Sequence, residues 1–241
     1  MCTVTFIAQD GKVFITSNRD ERIDRKSATF PHSIQSGDES ILFAKDGEAG
    51  GTWMAVKSDG FIAVLLNGGF ENHIPLPPYR RSRGLILLDI LKAENPFDVL
   101  TAIELEGIEP FTLILYAEGC LIETRWDGIQ KHRQDQDPRQ NHLWASATLY
   151  SREIIEAKKK SFEYWQKEQE PGEQSIIDFH ANSGNGKLAS NILEGQKLKT
   201  VSITQISLNE TEASIKHIDL KTESPVSVSE RVKLNRQGKL C

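Results

Sequence analysis

The chain has 241 residues, with 29 lysines and arginines against 34 aspartates and glutamates, for a net charge of -5. At 38% hydrophobic and 26% charged it has the composition of an ordinary globular protein, long enough to bury a layered core. No basic block stands out, the nearest candidate, Arg80-Arg81-Ser82-Arg83, being short and isolated, so the charge balance argues against a nucleic-acid partner.

The N-terminus carries no basic region ahead of its apolar stretch and does not read as a signal peptide. Residues 3–8 and 13–17 are β-rich runs, and Asp10-Gly11 between them is a hairpin signal. Further strands are expected at 52–57 and 61–66, joined through Ser58-Asp59-Gly60. The second run is almost wholly apolar, as in a strand covered on both faces. Residues 72–78 contain three prolines and form a loop, a candidate lid. Ser82 then caps a helix over 83–91 that is apolar nearly all round, interrupted by Asp89 and too short to span a membrane. Asn95 and Pro96 suit the N-cap and first turn of a second helix, with Gly107 as its C-terminal cap.

Strands return at 111–116 and 120–126, with Glu118-Gly119 as the turn between them. Residues 135–141 are polar loop and 142–147 form another strand. Ser151 caps a long helix to about residue 168, with Ile155, Phe162 and Trp165 on one side, and a shorter helix covers 173–181. Trp144, Tyr150, Tyr164 and Trp165 are assigned to the core. Residues 182–187 are flexible in composition. A final hairpin takes 200–208 and 213–220. No linker or internal repeat divides the chain. Strands grouped apart from helices suit two packed sheets with helices outside.

Three widely spread cysteines, Cys2, Cys120 and Cys241, show no CxxC, no zinc spacing and no disulfide framework, which points to a reducing, cytoplasmic setting. His132, Asp135, Asp137 and His142 lie in one polar segment, but their spacing matches no metal-ligand pattern and reads as solvated loop.

One ordered set of motifs carries chemistry. Cys2 follows the initiator methionine, and removal of Met1 would place a thiol and a free α-amine on one residue. Such an amine, of pKa about 7.7–8.0, is suited to act as a base near neutrality, and the thiol, of pKa about 8.5, as a nucleophile once a proton is taken. Pairing across the first hairpin brings Cys2 towards Arg19 and Asp20, where Arg19 would stabilise a thiolate and Asp20 orient the α-ammonium. Asn67, at the end of the apolar strand and ahead of Gly68-Gly69, has the chemistry of an oxyanion donor. Each piece alone has a plain structural reading, as a small residue, a solvated turn and a β-turn; their combination is what points to a site.

Met1-Cys2-Thr3, Asn18-Arg19-Asp20-Glu21, Gly50-Gly51-Thr52-Trp53, Leu66-Asn67-Gly68-Gly69, Ser82-Arg83-Gly84 and the later segment Ser146 to Ser151 occur in the order and rough spacing of the NRDE proteins. The chain resembles that family, also called the transport and Golgi organisation protein 2 family, over most of its length. The resemblance implies an α+β fold of the N-terminal-nucleophile hydrolase type: a four-layer α/β/β/α sandwich, two antiparallel sheets flanked by helices, as a single domain over 1–241. By similarity to the cysteine-type choloylglycine and penicillin V acylases of the wider superfamily, Cys2 would be the nucleophile, Arg19 and Asp20 its partners and Asn67 an oxyanion donor. Those acylases carry a second Asn where this chain has Ser146-Ala147, and a late Arg for which Arg231 is a loose positional counterpart.

The resemblance therefore implies a hydrolase of a small amide or acyl bond, acting on a small molecule with no cofactor or metal. Family members are also associated with secretory organisation, mitochondrial lipid metabolism and haem trafficking. The alternative expectation is thus a non-enzymatic binding or trafficking protein for haem or an acyl lipid on the same fold. Haem enters by resemblance only, since the chain has neither a CxxCH motif nor a Cys-Pro pair.

Overall fold

The computed structural model describes residues 3–117, 119–183, 198–222 and 224–235. Cys2, Glu118, Cys241 and most of the 182–187 segment lie outside the described residues. Thirteen strands and four helices are described.

The first hairpin pairs β1 (Thr3–Gln9) with β2 (Lys12–Arg22), Thr3 opposite Asn18 and Gln9 opposite Lys12. Its two-residue turn has positive φ at both positions, 51° at Asp10 and 72° at Gly11. This is the twist-compatible geometry that Asp-Gly favours. Next come β3 (His32–Ser36), β4 (Glu39–Phe43), β5 (Met54–Lys57) and β6 (Ile62–Asn67). Two helices follow, α1 (Arg83–Leu91) and α2 (Pro96–Ala102). Then come β7 (Phe111–Ala117), β8 (Cys120–Trp126), β9 (Lys131–Gln136) and β10 (His142–Ala145). The second helix pair is α3 (Arg152–Glu168) and α4 (Glu173–Ser183). The last strands are β11 (Leu198–Leu208), β12 (Glu212–Asp219) and β13 (Val226–Lys233).

The strands form two antiparallel sheets, one in the order β10-β1-β2-β11-β12-β13 and the other in the order β3-β4-β5-β6-β7-β8-β9. Strand alternation sorts their side chains into three cores. Val4, Phe6, Val13 and Ile15 meet Leu42, Met54, Ile62 and Val64 between the sheets. Ile41, Ala63, Leu65 and Leu113 face Ile86, Leu87 and Ile90 of α1. Ile7, Phe14 and Leu143 face Phe162 of α3 and Ile176 and Phe179 of α4. The outcome is the expected four-layer α/β/β/α sandwich, in which β6, buried on both faces, sits centrally. Each fully buried large apolar side chain contributes about 1.5–3 kcal/mol, so this inner layer carries much of the stability.

Two of the expected N-caps form. Ser151 accepts the Ile154 N–H, and Asn95 accepts the Phe97 N–H with Pro96 in the first turn. Ser82 precedes α1 in an extended conformation without making a side-chain cap bond.

Several expectations are corrected. α2 ends at Ala102, and Gly107 serves a separate turn with φ of 71°, where its carbonyl accepts the Arg80 N–H. Residues 131–136, partly assigned to loop, form β9, and β3, β4 and β13 had no counterpart in the sequence reading. Tyr164, assigned to the core, is 67% exposed because it lies on the face of α3 away from the sheet. Among the described residues no helix is long and apolar enough to cross a membrane.

Candidate functional site

A cleft of about 450 Å³ opens beside the end of β2 and the end of β6. Its wall gathers the quoted motifs: Arg19 and Glu21 from Asn-Arg-Asp-Glu, Gly51 to Trp53, Asn67, and Ser82 to Gly84. These segments are far apart in sequence and belong to both sheets and α1.

The glycines explain how the segments come together. A Cβ on Gly51 would stand 2.5 Å from the Gly84 carbonyl carbon, and one on Gly84 would stand 2.6 Å from the Thr52 oxygen. Backbone therefore packs on backbone, sealed by the Thr52 N–H donating to the Gly84 carbonyl at 3.3 Å. Gly68 has φ of 83°, and a Cβ there would lie 2.7 Å from the Thr148 methyl. The Leu-Asn-Gly-Gly turn is thus pressed against the segment that follows β10.

The turn's carbonyls are tied back one by one. Asn67 O accepts from Ser146 Oγ at 2.8 Å, Gly68 O from Thr112 Oγ1 at 2.9 Å, and Gly69 O from Arg125 at 2.7 Å. Arg125 is itself paired with the buried Glu123, which also accepts the Trp144 indole N–H at 2.8 Å. Asn67 thereby projects from a braced turn, and its side-chain amide has no hydrogen-bond partner among the described residues. Ser146, just past β10, braces this turn.

Arg19 is only 5% exposed and lies over the Trp53 ring at 5.2 Å. It donates to Asp46 at 2.5 Å, and Arg25 reaches the same carboxylate at 3.1 Å. Asp46 also accepts the backbone N–H groups of Glu48 and Ala49. Burial by itself pushes the Asp46 carboxyl up. The Ala49 N–H, the Arg25 bond and the two guanidinium charges outweigh that and bring it from 3.8 down to about 2. Also in the cleft wall, Arg83 pairs with Glu109 at 3.0 Å and donates to Pro110 O at 3.1 Å. Burial pushes the Arg83 guanidinium down, against the charge of Glu109.

Asp20 goes elsewhere. Successive strand residues face opposite ways, so Arg19 points between the sheets while Asp20 points to the helix side. There Asp20 accepts from Tyr150 Oη and Thr200 Oγ1. Asn18, on that same side, holds His180 of α4: Oδ1 takes one ring nitrogen at 2.6 Å and Nδ2 donates to the His180 carbonyl at 3.1 Å. Because Oδ1 can only accept, His180 Nδ1 carries the proton and Nε2 accepts from Thr5 Oγ1 at 2.8 Å. The structure therefore brings Arg19 and Asn67 to one cleft and places Asp20 behind it. Arg231 lies on the exposed edge strand β13, paired with Glu212, and is not among the cleft residues.

Asp46, Glu109, Arg25 and Arg125 drew no notice in the sequence. They lie in loops or on strands, and no local pattern marks them as parts of a site. Trp53 and Arg83 stood inside quoted motifs, which was a usable signal. The polar segment of His132 to His142 is self-satisfied: His132 pairs with Asp127 at 2.6 Å and His142 with the Asp137 carbonyl at 2.7 Å. The 72–78 loop joins Asn67 to α1, with Ile74 and Leu76 exposed.

The sequence model of the Transport and Golgi organisation 2 family matches residues 1–227. The chain belongs to this family. No curated protein sequence is similar enough to match. Among solved structures, a cysteine-to-alanine mutant of conjugated bile acid hydrolase from Clostridium perfringens superposes with a TM-score of 0.64 at 8% identity, covering 100% of this chain and 98% of the other. An arginine-to-leucine variant of the same hydrolase gives 0.63 at 8% identity, covering 100% and 99%. The Caenorhabditis elegans N-acylethanolamine-hydrolyzing acid amidase ortholog gives 0.58 at 11% identity, covering 85% and 92%. At such identities the likeness establishes the fold, that of the N-terminal-nucleophile hydrolases, and leaves the chemistry to the site.

Proposed function

We propose that this family member is a cysteine-type hydrolase of a small amide or related acyl bond, built as one domain, with Cys2 as its nucleophile. The observation that carries the reading is the meeting of Arg19 and Asn67, from different sheets, at one cleft. Thr3 is paired with Asn18, and one further step along that ladder would set Cys2 opposite Arg19 on the cleft side.

In this mechanism the α-amine of Cys2, freed by loss of Met1, takes the thiol proton as sulfur attacks the substrate carbonyl. The carbonyl electron pair moves to oxygen, and the Asn67 amide, braced through Ser146, Thr112 and Arg125, donates to it. Collapse breaks the C–N bond, and the ammonium returns its proton to the leaving nitrogen. Water then hydrolyses the thioester and restores the thiol. Arg19, fixed by Asp46, supplies positive charge for the thiolate. Asp20, held by Tyr150 and Thr200, orients the start of β1 from the helix side.

The alternative of a haem carrier has no observation of its own in this cleft. Its described lining residues include no His or Met, and the hydroxyl of Tyr79 is engaged by the Leu76 N–H at 2.8 Å.

Intact-mass measurement tests the first requirement and should show loss of Met1. Cys2→Ala should then abolish turnover on a panel of acyl amides while leaving the melting temperature near wild type. Turnover that survives in Cys2→Ala, or an active chain that retains Met1, would overturn the reading.

A further inference from the structure

The cleft is unevenly supplied with hydrogen-bonding groups. Each carboxylate in its wall is already claimed. Asp46 accepts from Arg19, Arg25 and two backbone N–H groups, Glu109 from Arg83 and His73, and Glu21 from Arg25 and the Arg22 N–H. The groups left over can donate. The indole Nε1–H of Trp53 is buried without an acceptor among the described residues, although the side chain is only 4% exposed. Ser82 Oγ is buried and equally unpartnered, and so is Arg25 Nε.

Ser82 is also the N-cap of α1, yet it makes no cap bond, and the first turn of that nine-residue helix holds no acidic side chain. The first N–H groups of a helix have no intrahelical acceptor, and the dipole there favours negative charge. Arg83, at the first helical position, adds a guanidinium to the cleft wall, paired there with Glu109 and with the Pro110 carbonyl. Buried donors without partners each cost free energy, and a ligand rich in acceptors removes that cost.

We infer that Ser82 Oγ, Trp53 Nε1, Arg83 and the N-terminus of α1 form a subsite for a carboxylate or phosphate group on the molecule this cleft binds. The inference deepens the hydrolase reading, for it makes the acyl substrate an anion held in the same cleft, beside the Arg19–Trp53 pair. Binding energy from a non-reacting group of this kind is what positions a carbonyl for attack. A carboxylate and a phosphate share the chemistry and differ in shape, being planar and tetrahedral.

The test uses the full-length Cys2→Ala chain, so that binding is read without turnover and a failure of the hydrolase reading leaves it intact. Inorganic phosphate and succinate are titrated separately and followed by tryptophan fluorescence and calorimetry. At least one should bind saturably, and affinity should fall as salt rises. Ser82→Ala and Trp53→Phe should each weaken binding by roughly tenfold or more, the usual cost of losing one hydrogen bond to a charged group. Lys159→Ala, on the exposed face of α3, should leave it unchanged. Binding of succinate alone or phosphate alone identifies the source of the anion. If neither binds, or if both variants bind as tightly as the parent while remaining folded by circular dichroism, the subsite does not exist as described.

Discussion

Asp46 is the residue on which the cleft's electrostatics turn, and its replacement by Asn gives a quantitative test. The side chain is 12% exposed and holds both Arg19 and Arg25. Its carboxyl is lowered from 3.8 to about 2 despite the opposing effect of burial. At about 1.4 kcal/mol per tenfold change in acidity, that corresponds to about 2 kcal/mol of native-state stability. A carboxyl with a depressed folded pKa contributes this fully above its unfolded value. The contribution fades as pH falls from about 4 towards 2. Asp46→Asn also strands Arg19, which is 95% buried, so the loss near neutrality should reach about 2–4 kcal/mol. Urea denaturation of wild type and variant at pH 7, 5, 4 and 3 measures it. The gap should be constant from pH 7 to 5 and narrow below pH 4. A gap below about 0.5 kcal/mol at pH 7, or one that does not shrink in acid, would refute the assignment of Asp46 as a buried, doubly paired carboxylate.

His180 is buried and its imidazole is pushed from 6.5 down to about 3, first by burial and then by the charge of Lys158. Nitrogen NMR should find it neutral and protonated at Nδ1 through pH 5; titration near 6.5 would disprove the arrangement. Because the unfolded chain protonates first, this residue's contribution to stability is complete above about pH 6.5 and declines as the solution is acidified towards the folded value. Gly51→Ala should push apart the backbones that meet at Gly84, lowering stability by about 1–3 kcal/mol and widening the cleft. Ala at Gly119, whose Cβ would meet nothing within 4 Å, serves as the contrast. Its cost should be limited to the strain of its φ of 83°, and a Gly51→Ala chain as stable as this one would refute the close-packing argument.

How much of this was legible beforehand follows from the kind of signal each element leaves. β1, β6, β7 and β8 are apolar runs bounded by turn residues, and α2 and α3 carry side-chain caps, so local chemistry announces them. Three of the strands that escaped notice, β3, β9 and β13, are sheet edges. Their compositions are polar, as edges exposed to water require, and it is the neighbouring strand that makes them β. Arg19 and Asp20 stood in view as a pair. The strand period of two already implied that they face apart, a consequence their shared motif obscured.

The sequence by itself determined the layered order of strands and helices, the Asp10-Gly11 hairpin and the family motifs. Each of these depends on residues within a few positions of one another, where propensity and sterics act directly. Only the tertiary structure decided that Arg19 and Asn67 share a cleft, that Asp20 braces the opposite face, that Asp46 saturates two guanidinium groups, and that Trp53 and Ser82 keep donors to spare. Those facts depend on the stacking of two sheets and on backbones touching at Gly51 and Gly84, contacts between positions too distant in the chain for any local pattern to record.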